Sequence, residues 1–103
     1  MSELFWRSES CVVMVGYAAD GSLEFHGDDV AAFGTPGHGY EYFVTVAPEQ
    51  FAALRRALDV DDEADVLRAV VARVDDVMTE GESSWLERRG VEHRRNVWSS
   101  PPD

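Results

Sequence analysis

Hydrophobic residues follow two different periods along this chain, and the change of period divides it. From Cys11 to Ala18 both sides of an extended backbone are apolar, with Cys11, Val13, Val15 and Tyr17 opposing Val12, Met14 and Ala18. No polar residue recurs at helical spacing there, so the run predicts a central β-strand whose second face is not fully wet. Asp20-Gly21 and then Leu23-Glu24-Phe25-His26 complete a predicted hairpin, because Asp-Gly tolerates the positive φ angles of tight turns. Gly27 to Gly39 is rich in glycine, contains Pro36 and the short apolar patch Val30-Ala31-Ala32-Phe33, and reads as an irregular connection with room for a helical turn. Tyr40 to Val46 then alternates strictly. Tyr40, Tyr42, Val44 and Val46 face one way and Glu41, Phe43 and Thr45 the other, which predicts a half-buried strand.

The period lengthens at Pro48, a residue suited to the first helical position because its missing N–H has no partner there. Phe51, Leu54 and Leu58 share one face of a short helix. Asp61 or Asp62 is placed to cap a second helix running to about Met78, in which Val66, Leu67, Val70, Val71, Val74, Val77 and Met78 form one apolar stripe. Gly81 breaks that helix. Ser83 or Ser84 caps a third, short one carrying Trp85 and Leu86, which Gly90 stops through its access to the left-handed conformation. Val91 to Trp98 is a fourth strand, and Ser99 to Asp103 a tail with Pro101-Pro102.

Strands first, helices next and a returning strand predict an α+β domain over residues 1–98: two layers, a mostly antiparallel sheet of about four strands with two to three helices on one face. Glu24, His26, Glu41, Phe43 and Trp98 are candidates for the other face, although register is not readable from sequence. A length of 103 residues suits one core.

Charge narrows the function classes. Nine Arg and no Lys against twenty acids leave a net charge of -11, which repels nucleic acid and anionic lipid and attracts a basic protein surface. The single Cys11 excludes an internal disulfide, no apolar run is long enough for a membrane span, and the first residues lack the basic start of a secretory signal, so a cytoplasmic protein is expected. The absence of Lys and Ile, with Ala, Val, Arg and Gly abundant, is a GC-rich bias that by itself raises acidity.

Few residues suggest chemistry. His26, Asp28, Asp29 and His38 are ligand types, yet they lack the paired spacing of a metal site and read as a solvated loop. The segment Gly34 to Gly39 lacks the Lys and following Ser or Thr of a phosphate loop. Cys11 opens an apolar strand and reads as a small buried residue. Ser83 and Ser84 read as caps, and His93, between Glu92 and Arg94-Arg95, as part of a surface salt-bridge patch. No catalytic residue, metal or cofactor is assigned.

The localised feature is acidity. Asp59 to Glu82 carries nine acids against Arg68 and Arg73. Asp61, Asp62, Glu63 and Asp65 are explained by the start of the second helix, where the dipole favours negative charge. Asp75 and Asp76, placed near its end, are not. Asp62, Asp65 and Asp76 fall on one stripe with Ala69 and Ala72 between them, and Asp75, Glu80 and Glu82 lie close by. This cluster is a candidate partner-binding surface, with Phe43, Trp85 or Trp98 as the desolvated anchor.

Gly-Tyr-Glu-Tyr-Phe-Val-Thr-Val-Ala-Pro-Glu-Gln-Phe at 39–51, with Leu54, Ala57-Leu58, Asp65-Val66-Leu67, Trp85-Leu86, Gly90-Val91 and Trp98, resembles a group of small acidic actinobacterial proteins. Some of that group are thought to be immunity partners of polymorphic toxins. The resemblance spans about residues 39–98 and lies mainly in core positions. It adds to the expectation from charge: a non-enzymatic immunity protein or antitoxin that binds a basic toxin. The alternatives are a regulatory homodimer joined through the open sheet face and a small metal-dependent hydrolase using His26, Asp28, Asp29 and His38.

Overall fold

The computed structural model describes residues 2–8, 11–29 and 40–99. Among the described residues five strands form one antiparallel sheet in sequence order: β1 (Ser2–Arg7), β2 (Cys11–Tyr17), β3 (Leu23–Asp29), β4 (Tyr40–Val46) and β5 (Arg94–Ser99). A short 3-10 turn at Pro48–Gln50 leads into α1 (Phe51–Leu58), followed by α2 (Val66–Val71), α3 (Val74–Glu80) and α4 (Glu82–Arg88). The fold is therefore the expected α+β class, and no helix among the described residues is long and apolar enough to cross a membrane.

Alternation along the strands aims Val13, Val15, Leu23, Phe25, Val44 and Val46 at one face. Leu54, Leu58, Val66, Val70, Val77, Trp85 and Leu86 from all four helices close over them. Burying a Leu or Phe side chain contributes about 1.5–3 kcal/mol, so this layer carries the stability.

Four details differ from the sequence reading. A strand precedes the apolar run: β1 pairs with β2, and a register shift between Leu4 and Trp6 breaks its alternation, which is why no period of two shows there. Gly27, Asp28 and Asp29 extend β3 rather than starting a loop, and the remainder of that connection, His38 included, lies outside the described residues. The fourth predicted strand begins at Arg94 rather than Val91 and takes in Ser99.

The fourth difference is the long helix, which is two. Asp65, not Asp61 or Asp62, is the cap of α2, its side chain accepting from the Leu67 N–H at 3.0 Å. At Arg73 the backbone leaves helical geometry (φ -116°, ψ 26°), and its guanidinium donates to the Leu58 carbonyl and pairs with Asp76. The break lets α2 lie against β2 and α3 against β1, which a straight rod over a twisted sheet does less well. Asp75 and Asp76 consequently stand in the first turn of α3, where the dipole favours them. Helix stability does account for them, contrary to the expectation from one continuous helix.

Gly90 has φ +72° just after α4, as a helix stop requires. Gly27 is required for another reason. A Cβ there would lie 2.0 to 2.4 Å from Tyr42 ring atoms, because the ring of Tyr42 lies across Gly27 on the neighbouring strand.

Candidate functional site

The described helices pack on one side of the sheet, no described helix covers the other, and the strand register decides what stands there. Leu4, Met14, His26, Phe43 and Asn96 are successive partners across all five strands, forming one row. Val12, Asp28, Glu41 and Trp98 form the row on one side of it, and Gly16, Glu24, Thr45 and Arg94 the row on the other. The five residues proposed for this face from sequence, Glu24, His26, Glu41, Phe43 and Trp98, thus all occupy register positions on it.

At the centre of the face the His26 and Phe43 rings stack, centroids 4.4 Å apart and 12° from parallel. His26 Nε2 lies 3.2 Å from Glu41 Oε1. Leu4 is 53% exposed, while Val12, Met14 and Phe43 are partly exposed. An aliphatic and aromatic strip of this kind, rimmed by carboxylates, is a surface that can lose water to a partner. Asp28 stands directly opposite Glu41, a cross-strand like-charge pair that costs stability.

The acids singled out from sequence are dispersed over the helical side, most of them with internal work. Asp65 accepts from the Tyr17 hydroxyl, and this hydrogen bond is the main reason its carboxyl is held below the ordinary range. Burial pushes the Tyr17 phenol up, and the bond to Asp65 adds to it. Asp76 pairs with Arg73 at 2.7 Å. Glu80 takes Arg88 at 3.0 Å and Arg89 at 3.1 Å. Asp62 and Asp75 are exposed.

Two of the candidates are interior. Glu82 is only 4% exposed and accepts a 2.5 Å hydrogen bond from the Tyr42 hydroxyl, whose phenol is pushed up by burial first and this bond second. Trp85 is fully buried, with Arg89 stacked 4.3 Å over its ring. Neither is placed as a surface charge or anchor. The α/β packing takes Trp85 because an indole is the largest apolar block available to α4.

Gly81, not Ser83 or Ser84, is the N-terminal boundary of α4, with no side-chain cap. Ser83 instead meets His93, Oγ to Nε2 2.8 Å, a pairing that no local motif signals across ten residues. His93 is therefore hydrogen-bonded to α4 rather than placed in a salt-bridge patch. Cys11 is half-buried at the head of β2. Among the described residues no three His, Cys, Asp or Glu side chains are grouped to hold a metal ion. His26 and Asp28 share the open face, and Asp29 is one register step further, opposite Cys11 and Tyr40.

No family model matches the chain, and it has no match among the curated proteins or the solved structures.

Proposed function

We propose that the protein is a binding module of the immunity or antitoxin type, which occludes a basic toxin through the sheet face opposite the described helices. The observation that supports this most is the row Leu4, Met14, His26 and Phe43 bordered by Glu24, Asp28 and Glu41. The apolar row supplies contact area that gains from desolvation, while the carboxylates select a cationic surface and penalise an anionic one. The acids of the helical side, Asp62 and Asp75 foremost, contribute through the field of a chain of charge -11 and set the rate of encounter rather than the contact.

The same charge disfavours a second copy as the occupant, since like-charged faces would meet. This separates the toxin-binding reading from the homodimer, and sedimentation at micromolar concentration tests it: a monomer is expected. The direct test is titration calorimetry with the product of the adjacent gene. Met14→Glu or Phe43→Ala is expected to weaken binding tenfold or more, chiefly by faster dissociation. Asp62→Asn with Asp75→Asn is expected to slow association at low salt only. Full binding by both sheet-face variants overturns the proposal.

A further inference from the structure

Ser83 performs no capping at the start of α4, and its partner explains its position better. Its Oγ lies 2.8 Å from His93 Nε2, while His93 Nδ1 lies 2.9 Å from the Val91 carbonyl oxygen. A carbonyl only accepts, so in the neutral imidazole Nδ1 carries the proton and Nε2 presents its lone pair to the serine O–H. Val91 is buried, and its N–H donates to the Leu86 carbonyl at 3.0 Å, which holds the orienting group on the frame of α4. Nucleophile, base and orienter thus stand in the relation that nucleophilic catalysis uses.

A hydrogen bond that merely ties α4 to the approach of β5 would need no access to solvent. Ser83 has such access. It is half-buried and lines a cleft of about 560 Å³ with Tyr42, Ser84 and Arg95. His93 lines a cleft of about 610 Å³, and Glu87 contributes to the walls of both. Both volumes are of the size that admits a small molecule.

We infer that Ser83 is an activated nucleophile with His93 as its general base, in a cleft that takes small carboxylic esters. This lies on the helical side of the sheet and goes beyond the docking proposal, which does not use it. In the first step Ser83 Oγ bonds to the ester carbonyl carbon as its proton passes to His93 Nε2. The carbonyl oxygen gains the negative charge, and Arg95 is the cation in that cleft wall. Collapse breaks the bond to the alcohol oxygen, which leaves with the proton from His93. Water then adds to the acyl carbon, giving a proton to Nε2, and the acid departs as Ser83 recovers its proton. The sequence is redox-neutral and consumes one ester and one water.

The test uses the whole chain with p-nitrophenyl acetate and a fluorophosphonate probe, read by nitrophenol release and by mass spectrometry of the modified peptide. The expected result is one acetyl or phosphonyl group on Ser83. His93→Gln keeps an acceptor for the serine hydroxyl but offers no base, so its thermal midpoint should stay within a few degrees while acylation slows 100-fold or more. Labelling elsewhere on the chain, or His93→Gln reacting as fast as wild type, overturns the inference.

Discussion

Gly27→Ala should be among the most damaging single changes in this protein, although it adds one methyl group to an ordinary strand position. The new Cβ would stand 2.0 Å from Tyr42 Cε2 and 2.2 Å from Cζ, well inside contact distance, so the ring has to move. Moving it strips the buried Glu82 carboxylate of its hydroxyl donor. Loss of a hydrogen bond to a charged group costs about 1.5–3 kcal/mol, and partial exposure of the ring adds to it, for a total of about 3 kcal/mol. At about 4–8 °C per kcal/mol for a domain near this size, the midpoint should fall by about 12–24 °C in thermal melts followed by circular dichroism. The same substitution in a Tyr42→Ala background meets no ring. There it should cost less than about 0.5 kcal/mol or stabilise slightly, since Ala is less costly to order than Gly in a strand. Equal cost in both backgrounds, or a loss below about 0.5 kcal/mol in the wild type, would refute the assigned contact.

Tyr17→Phe removes the main cause of the depressed Asp65 ionisation. Stability from a lowered carboxyl is present above its unfolded value near 3.9 and lost as pH falls through the folded value, so wild type and variant should differ at pH 7 and converge in strong acid in urea titrations. Tyr42 behaves in the opposite sense: its raised phenol contributes stability below about pH 10 that is lost only at higher pH, so ultraviolet titration should show this tyrosine ionising with unfolding. Asp75→Asn should destabilise by up to about 1 kcal/mol through the start of α3, where a helix-end position would have predicted a gain.

The open face was legible in composition but not in arrangement. Glu24, His26, Glu41 and Phe43 could be assigned to it because a period of two needs only neighbours in the chain. Leu4 could not, because the register shift in β1 turns Phe5 into the core beside Trp6 and erases the alternation. The acidic stripe along a single helix dissolved for a related reason. Its residues do share a helical period, but Arg73 is anchored to the end of α1, and the break it makes changes Asp76 from a helix-end charge to a helix-start one. Glu82 and Trp85 look like exposed candidates in a polar stretch and are interior once α4 packs on β4.

Alone, then, the sequence determined the class of fold, the strand β4 to the residue, the apolar sides of the helices and a net charge of -11. These follow from periodicity and composition, which act over a few residues or over the whole chain. Tertiary structure decided which strands are neighbours, which carboxylates are occupied by Tyr17, Tyr42 or arginine, and that Ser83 meets His93. Each of those depends on groups brought together from different elements, and a contact between distant groups leaves no periodic trace in the order of residues.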